Sequence, residues 1–341
     1  MVRRAAASLL VLGILVLAAL LFLGDLERIG LHLSSLSPLP LTLALVVTAF
    51  SYLCGGFSLA ALLQALGIRL PLGRTLRVAF FATALNYLVS FGGIGGVGLR
   101  LALFHREGLH PSDNALVSLI HTALMNAVLL VFVAVGFGVP VATGELPWRR
   151  AGPHLALAGF SLAALGMLVG AFLNPSLRHR VLEMGFRAYR WLGRRLRLPP
   201  LSDRIREETV LRFDRTARWV RSHPAGVLGA FVWVAGEWGA ALGCLAFCFR
   251  AVGQSVDASP LLAGYAIGIF AGAAAFTPGG IGFVEGGMTA VFVSMGVPLE
   301  AALAAVLVYR FIYYVLPLAL ALAWLGPATV RHLVRVARAR P

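Results

Sequence analysis

The chain has 341 residues, 59% of them hydrophobic, and its mean hydropathy is +0.87. Every one of its 29 basic residues is arginine, and against 14 acidic residues they give a net charge of +15. Several apolar runs reach about 18 residues or more, and about 20 residues of helix span the roughly 30 Å hydrocarbon core of a membrane. These features exclude a water-soluble globular protein and predict an integral membrane protein.

Six apolar segments are predicted as full transmembrane helices. They cover residues 5–24, 40–66, 112–137, 153–173, 224–250 and 299–325. Two pairs of shorter segments, each interrupted by glycine, are predicted as re-entrant hairpins: 74–91 with 97–108, and 259–276 with 283–296. The first segment lacks a small-residue cleavage site ahead of Gly24, so we predict an uncleaved helix and not a secretory signal.

The arginines are distributed unevenly along this layout. If the N-terminus is cytoplasmic, 24 of the 29 arginines lie on the cytoplasmic side, four lie outside and Arg310 lies within a span. Arginine concentrates in the cytoplasmic loops of membrane proteins. The distribution therefore predicts that both termini and the linker at 175–223 are cytoplasmic.

Two parts of the chain resemble each other at a fixed offset. The letters GGIG occur at residues 92–95 and again at 279–282, an offset of 187, and at the same offset Pro111 matches Pro298. In the predicted topology these two parts cross the membrane in opposite directions. Inverted repeats with discontinuous helices are a recurring plan of secondary transporters.

We therefore predict an all-α polytopic membrane fold with about six full transmembrane helices and two re-entrant broken-helix pairs arranged as an inverted-topology repeat. A single domain is expected over residues 1–330, with repeat one at about 40–137, repeat two at about 224–325 and a basic linker at about 175–223. An Arg-rich cytoplasmic tail covers residues 331–341.

The stretch AAAFTPGGIGFVEGG, residues 273–287, places Pro278, five glycines and Glu285 among apolar residues. Proline ends a helix and glycine lets the chain turn, so this stretch predicts a helix break inside the membrane. Unsatisfied backbone at that depth is tolerated only inside protein or beside a wet cavity, and the N-terminus of the next half-helix is electropositive. We predict that the two breaks line one midmembrane cavity.

Charged residues within the predicted spans mark the same region. A charge at the centre of a span costs about 2.5–3.5 kcal/mol on insertion scales, so such residues face the protein interior. A purely structural ion pair of Arg310 with Glu285 or Glu237 is the alternative to a binding role. The predicted substrate-binding residues are Glu285, Arg310, Arg100, Glu237, Asn86, Gly279, Gly280, Gly92 and Gly93.

Other polar and aromatic residues near these charges have less specific roles. Asn86 and His121 offer hydrogen bonds to the cavity or contacts between helices. The aromatic cluster is predicted as helix surface or interfacial belt and not as a cage; it contains Tyr309, Phe311, Tyr313 and Tyr314. No spacing typical of a metal site or a phosphate-binding loop is present, so neither metal nor cofactor is expected.

The linker at 175–223 predicts two basic amphipathic helices interrupted by Pro199 and Pro200. It holds thirteen arginines against five acidic residues, a net charge of +8. A basic amphipathic helix beside a membrane binds anionic lipids. We therefore expect anionic lipid as a partner and no nucleic acid, since no nucleic-acid-binding motif is present.

The motif TPGGIGFVEGGMTAVF, followed by a Gly-Val-Pro turn and an aromatic-rich helix with Arg310, resembles the lysylphosphatidylglycerol synthase transmembrane-region family of flippase-like proteins. NYLVSFGGIGGVGLR resembles the first Gly-rich motif of that family more loosely, and the likeness covers roughly residues 5–330. The Gly-rich breaks and Glu285 match the family motif, with looser matches at Arg100 and Arg310. One departure is that the first motif has Ser90-Phe91 where the second has Thr277-Pro278.

The resemblance implies a protein of a bacterial or archaeal cytoplasmic membrane that moves a modified phospholipid, or a polyprenyl- or hopanoid-type lipid, between leaflets. The aminoacyl-transferring domain of full-length synthases is not expected in a chain that ends at Pro341, so we expect a transporter and not an enzyme. A phosphate-bearing lipid substrate and a lipid-modifying enzyme partner are expected, and oligomerisation stays open.

Two other classes of function remain open at this stage. A membrane-embedded glycosyltransferase would use acidic residues such as Asp25 and Glu27, which follow the first apolar segment. A non-transporting scaffold for an envelope lipid-modifying enzyme would use the Arg-rich linker, although it would not require two broken helices.

Overall fold

The computed structural model describes residues 24–89, 95–144, 148–196, 202–274 and 278–324, and within these ranges the protein is helical with no strand. The helices are α1 (Leu26–Ser34), α2 (Pro38–Ala65), α3 (Leu72–Val89), α4 (Gly95–Arg106), α5 (Pro111–Ala142), α6 (Trp148–Leu173), α7 (Pro175–Leu196), α8 (Asp203–Ser222), α9 (Pro224–Ala251), α10 (Ala258–Ala274), α11 (Phe283–Ser294) and α12 (Leu299–Arg310). A π-helical turn, Phe311–Val315, continues α12, and the span as a whole covers Leu299–Trp324.

The predicted class of an all-α polytopic membrane protein is confirmed. Five helices are long and apolar enough to cross a membrane, and they coincide with five of the six predicted spans. Of the sixth predicted span, 5–24, residues 5–23 lie outside the described residues, as do the tail at 331–341 and the predicted site residues Gly92 and Gly93. The two shorter pairs begin and end within two residues of the predicted bounds.

Helix α1 was not predicted from the sequence. Asp25 caps it, because its Oδ1 accepts hydrogen bonds from the backbone N–H groups of Glu27 and Arg28 at 3.0 and 3.3 Å. An N-cap carboxylate satisfies amide donors that the first turn leaves unpaired. The helix ends before Pro38, which opens α2 with a ring that suits the first helical turn.

The helices α2 and α9 reproduce each other at an offset of 186 residues. Each has 28 residues and runs from a proline to an alanine. Each is followed by a glycine in the left-handed region, Gly67 at φ 72° and Gly253 at φ 79°. The backbone hydrogen bonds of the two turns also match, since Ile68 N–H donates to Leu63 and Gln254 N–H donates to Phe249.

Helices α2 and α9 pack against each other along their length in antiparallel directions. Thr48 donates to Cys244 Sγ at 3.2 Å, and further along α2 the ring of Phe57 lies 4.7 Å from the ring of Trp233. Between these contacts, Ser51 Oγ donates to the backbone oxygen of Glu237 at 2.8 Å. Ser51 and Glu237 are themselves separated by 186 residues, so the two helices touch where equivalent positions meet.

We call α2–α5 the first half of the protein and α9 to the last span the second half. The shorter helices of each half pack against the last long helix of the other half. Ser259 of α10 donates to the backbone oxygen of Gly136 of α5 at 2.9 Å. In the corresponding place, Phe81 of α3 and Trp324 of the last span are in edge-to-face contact at 5.9 Å. The two halves therefore interlock and do not form separate bundles.

Helices α7 and α8 coincide with the two charged helices predicted in the linker, and they pack against each other as a hairpin. Arg178 is buried, and it donates to Asp214 Oδ1 at 2.6 Å and to the backbone oxygen of Ala171 at 3.0 Å. Arg206 forms an ion pair with Glu183, and its guanidinium lowers the pKa of that carboxyl by hydrogen bonding. The contacts of Arg178 join the hairpin to the end of α6, and the pair of Arg206 with Glu183 joins its two helices.

Candidate functional site

The helix break after α10 is built from glycines that adopt left-handed backbone conformations. A short 3₁₀ turn, Pro278–Gly280, precedes α11, and Gly279, Gly280 and Gly282 have φ values of 64°, 65° and 82°. An L-residue with a side chain would be strained at these angles. At Gly280 a Cβ would also lie 2.9 Å from Gly272 Cα, so the close approach to α10 also requires glycine there.

Glu285 and Arg310 hold this break together. Glu285 Oε2 accepts from the N–H of Gly282 at 2.7 Å, which satisfies an amide at the start of α11. Its Oε1 accepts from Arg310 Nε at 2.7 Å, and Arg310 Nη2 donates to the carbonyl of Gly279 at 2.5 Å. Both side chains are buried, and the guanidinium also lies 4.3 Å from the ring centre of Tyr314. The predicted ion pair therefore exists and fixes the backbone of the break.

A cavity of about 260 Å³ lies between the two halves of the protein. Both halves line it, since Asn86, Arg100 and His121 come from α3, α4 and α5, and Glu237 comes from α9. Its aromatic lining residues are Trp238, Tyr265, Tyr313 and Tyr314. Among the described residues, the cavity lining thus combines one cation, one carboxylate and aromatic rings within a bundle of apolar helices.

Within the cavity lining, Arg100 and His121 form a hydrogen-bonded pair. Arg100 Nη1 lies 2.9 Å from His121 Nδ1. A guanidinium has donors only, so Nδ1 is the acceptor and the proton of the neutral imidazole lies on Nε2. His121 is 5% exposed, and its Nε2 has no hydrogen-bond partner. The pair therefore presents an unused donor beside a positive charge.

Glu237, a buried carboxylate, also lines the cavity. Its Oε2 has no hydrogen-bond partner, and among the described residues no basic group forms an ion pair with it within 4.0 Å. A Cβ added at Gly55 would lie 3.0 Å from Oε2, so glycine provides the room for this side chain. Buried polar atoms are normally satisfied, and an orphaned carboxylate oxygen beside a cavity points to a ligand.

The prediction that the aromatic cluster forms helix surface or an interfacial belt is wrong for the three tyrosines. Tyr309 is 0% exposed, Tyr313 is 5% exposed and Tyr314 is 8% exposed. Only Phe311 of that cluster is exposed. The π-helical turn over Phe311–Val315 shifts the helical register, and such turns occur frequently at functional sites.

The structure separates the predicted site residues into two groups. Arg100, Glu237 and Asn86 line the cavity together. Gly279 and Gly280 lie in the break, where Glu285 and Arg310 hold the backbone, and neither of those charged residues lines the cavity. Asp25 and Glu27 are exposed at the start of α1, where Asp25 serves as the helix cap.

Sequence reasoning left His121 open between a hydrogen bond to the cavity and a contact between helices, and it missed two aromatic residues of the cavity. A lone histidine within an apolar span is a signal shared by many packing residues. Tyr265 and Trp238 offered none, because aromatic residues are common in transmembrane helices. Their place in the cavity lining depends on how the two halves of the protein pack against each other.

A sequence profile of the lysylphosphatidylglycerol synthase transmembrane region matches residues 10–321. A phosphatidylglycerol lysyltransferase of Staphylococcus aureus strain MRSA252 is 27% identical over 264 residues, which are 76% of this chain and 26% of the relative. A protein named "UPF0104 membrane protein" from Methanothermobacter thermautotrophicus is 25% identical over 252 residues, 71% of this chain and 70% of that relative. The chain thus spans about a quarter of the lysyltransferases it matches. Since the profile covers most of its length, the chain belongs to the lysylphosphatidylglycerol synthase transmembrane-region family.

Proposed function

We propose that this protein is a flippase-like transporter that moves a phosphate-bearing lipid between the leaflets of a bacterial or archaeal cytoplasmic membrane. The observation that carries the proposal is the cavity of about 260 Å³ that brings Arg100 and Glu237 together inside an apolar helical bundle. Ionisable groups at that depth are costly and mark substrate pathways. A modified phospholipid is favoured, with polyprenyl- and hopanoid-type lipids as the other lipid classes.

The size of the cavity suits a head group and not a whole lipid. Pockets for drug-sized ligands occupy about 300–1,000 Å³. A volume of about 260 Å³ lies below that range. We infer that the polar head group enters the cavity while the acyl chains stay in the surrounding lipid, where many apolar side chains of the long helices are exposed.

We infer that the two equivalent parts of the chain form an inverted-topology repeat, an arrangement that suits transport. Two equivalent helices that pack antiparallel and meet at equivalent positions are related by an axis perpendicular to both helices, which for spanning helices lies in the membrane plane. In transporters built this way, the site lies at the repeat interface near the midplane, and the repeats rock about it. We infer that α3–α4 and α10–α11 are re-entrant pairs that enter from opposite faces.

The names of the relatives support a phospholipid substrate. The Staphylococcus aureus relatives are named for phosphatidylglycerol. We propose that this chain performs the transport step and that its lipid is produced by a lipid-modifying enzyme, which is a partner in the same membrane.

The charged hairpin of α7 and α8 supports a cytoplasmic orientation with contact to anionic lipid. Met184 and Trp191 are exposed on α7, and Ile205 and Leu211 are exposed on α8, among many arginines. Exposed apolar residues flanked by arginine suit the headgroup region of an anionic leaflet. We propose that the hairpin lies on the cytoplasmic surface and that both termini are on the same side.

Transport is tested with the purified protein in vesicles that contain a fluorescent phospholipid, by following the fraction of label that a membrane-impermeant quencher reaches. We expect vesicles with the protein to equilibrate the label faster than empty vesicles. Arg100→Gln should abolish the acceleration, whereas Arg250→Gln, at the exposed end of α9, should retain it. Equal rates in protein-containing and empty vesicles for every phospholipid tested would refute the proposal.

A further inference from the structure

The cavity lining holds a positive group, Arg100, and a negative group, Glu237, that form no ion pair with each other within 4.0 Å, and this arrangement bears on the head group that the cavity accepts. We propose, on the basis of the transport function above, that the cavity selects a net-neutral head group with one phosphate and one ammonium group, the phosphate at Arg100 and His121 and the ammonium at Glu237. This selectivity differs from a preference for a head group that carries two ammonium groups.

The phosphate site rests on the donors of Arg100 and His121. Because His121 Nδ1 accepts from Arg100 at 2.9 Å, its Nε2–H is a donor, and that donor lacks a partner. A phosphate oxygen supplies the missing acceptor and meets the guanidinium charge. Charge-assisted hydrogen bonds from guanidinium to phosphate are among the strongest in proteins.

The ammonium site rests on Glu237 and on the rings beside it. The unpaired Oε2 of Glu237 is an acceptor that needs a donor. Tyr313 lines the same cavity, and its hydroxyl lies 2.8 Å from Ser51 Oγ, which donates to the backbone oxygen of Glu237. Trp238 also lines the cavity. Aromatic faces attract cations, and a carboxylate among aromatic rings therefore favours an ammonium over a hydroxyl group.

The balance of charge limits the ligand to one ammonium group. Glu285 is already paired with Arg310 at 2.7 Å, so its charge is satisfied within the break. The residues 87–99 and 273–278, which border the two breaks, contain no charged residue in the sequence. A second ammonium group would therefore enter the cavity without a carboxylate partner, and an unpaired buried charge is strongly disfavoured.

The test measures binding of short-chain lipids to the full-length chain in detergent by titration calorimetry. The probes are dihexanoyl phosphatidylethanolamine, dihexanoyl phosphatidylglycerol, the lysyl ester of the latter, and glycerophosphoethanolamine, which has no acyl chains. We expect the phosphatidylethanolamine to bind about tenfold more tightly than either the phosphatidylglycerol or its lysyl ester. Equal or tighter binding of the lysyl lipid overturns the proposal, and so does equal binding of glycerophosphoethanolamine, which would identify a soluble phosphate compound as the ligand.

Three variants assign the selectivity to the named groups. Glu237→Gln should remove the tenfold preference, so that phosphatidylethanolamine and phosphatidylglycerol bind with about equal affinity, without loss of phosphatidylglycerol binding. Gly55→Ala places a methyl group 3.0 Å from the Glu237 carboxylate and keeps its charge, so it should weaken phosphatidylethanolamine binding selectively even if Glu237→Gln fails to fold. Asn126→Ala is the matched control, because Asn126 is exposed and bonds its own helix at Thr122. An unchanged order of affinities in Gly55→Ala overturns the assignment to Glu237.

The result is separable from the transport proposal. If the affinities follow the expected order but no lipid crosses between leaflets, the head-group site stands and transport fails. If labelled phospholipids cross at equal rates and the three lipids bind equally, transport stands and the selectivity fails.

Discussion

At the scale of single residues, the two acidic groups in the membrane have different surroundings. Glu285 has two partners, the N–H of Gly282 and the guanidinium of Arg310. Glu237 has an oxygen without a partner and lines the cavity. A group whose contacts are all made within the protein stabilises the fold, whereas an unsatisfied group beside a cavity is available to bind a ligand. This contrast assigns Glu285 to the architecture of the break.

Replacing Glu285 should therefore destabilise the protein. In Glu285→Gln, Arg310 keeps its buried charge but loses its counterion, and breaking a buried pair in this way costs about 3–5 kcal/mol. We expect a lower midpoint of thermal unfolding in detergent and a lower yield of folded protein. The double variant Glu285→Gln/Arg310→Met should recover part of the loss, because no charge is then left unpaired.

The matched control for that variant is an exposed ion pair. Arg28 lies 3.3 Å from Asp25, with side chains 71% and 48% exposed. Exposed pairs contribute little, so Arg28→Gln should leave the unfolding midpoint within error. A Glu285→Gln protein as stable as the wild type would contradict the structural role and restore the case for a direct role in transport.

The residues of the cavity show how far sequence reasoning reaches at this scale. Arg100 and Glu237 were predicted because a charge within an apolar segment is costly and seldom accidental. His121 was left open between the cavity and a contact between helices, and the buried tyrosines were not assigned to a site, because burying a neutral polar or aromatic side chain in a membrane span costs little free energy. Their roles depend on which helix faces them, and that is a property of the assembled fold.

At the scale of helices, glycine permits close packing where two backbones meet. A Cβ at Gly136 of α5 would lie 2.5 Å from the backbone N of Ala263 and 2.9 Å from its Cα, in α10. Backbone atoms cannot move aside as a flexible side chain can. The hydrophobic effect does not drive helices together inside a membrane, because lipid tails are as apolar as the side chains. Helices there associate through close packing, which small residues permit.

Gly136→Ala should therefore destabilise the protein by about 1–3 kcal/mol, the usual cost of overpacking. The helices α5 and α10 must separate, which also weakens the hydrogen bond from Ser259 to Gly136. Thermal unfolding in detergent measures the effect. Gly138→Ala is the matched control, because its Cβ would meet only Ala158 Cβ at 3.8 Å and alanine favours a helix. If both variants unfolded at the same temperature, the close approach of α5 and α10 would not contribute to the stability of the protein.

The hairpin of α7 and α8 should respond to the charge of the lipid around it. We expect slower amide hydrogen exchange over 203–222 in nanodiscs with anionic lipid than in nanodiscs with neutral lipid. High salt should remove the difference, because exposed charges are screened beyond about 10 Å at 0.1 M. The turn at residues 252–257 is the internal control and should not change. Identical exchange in the two lipids would show that the hairpin does not bind the membrane surface.

Helix bounds were predictable from the sequence, whereas helix partners were not. Long apolar segments and their proline and glycine boundaries placed five spans and both short pairs. Helix α1 was missed because nine residues with a mixed composition give a weak periodic signal. The contact of α5 with α10 depends on residues more than 120 positions apart, and only the three-dimensional arrangement reveals it.

At the scale of the whole molecule, the proposed repeat would account for the position of the cavity. Helices α2 and α9 cross at Ser51 and Glu237, which are equivalent positions, and the cavity lies beside this crossing. A site near the axis that relates two repeats stays fixed when the repeats rock against each other. Alternating access of a head group from either leaflet would then need only rearrangements around the cavity.

The inverted relation of the two repeats is the prediction on which this mechanism depends. Arg69 and Ser255 occupy equivalent positions, 186 residues apart, in the turns after α2 and α9, and both are exposed. In an inverted repeat they lie on opposite sides of the membrane, whereas in a parallel repeat they lie on the same side. Arg69→Cys and Ser255→Cys therefore separate the two arrangements when each is labelled with an impermeant maleimide in intact cells and in inverted vesicles.

The native cysteines Cys54, Cys244 and Cys248 are all buried, so the labelling background should be low. We expect Ser255→Cys to react in intact cells and Arg69→Cys to react only in inverted vesicles, because the arginine distribution places the turn after α2 in the cytoplasm. Glu207→Cys in α8 should follow Arg69→Cys, since the charged hairpin is expected on that side. Labelling of Arg69→Cys and Ser255→Cys from the same side would rule out the inverted repeat and, with it, a cavity approached from opposite faces by two equivalent breaks.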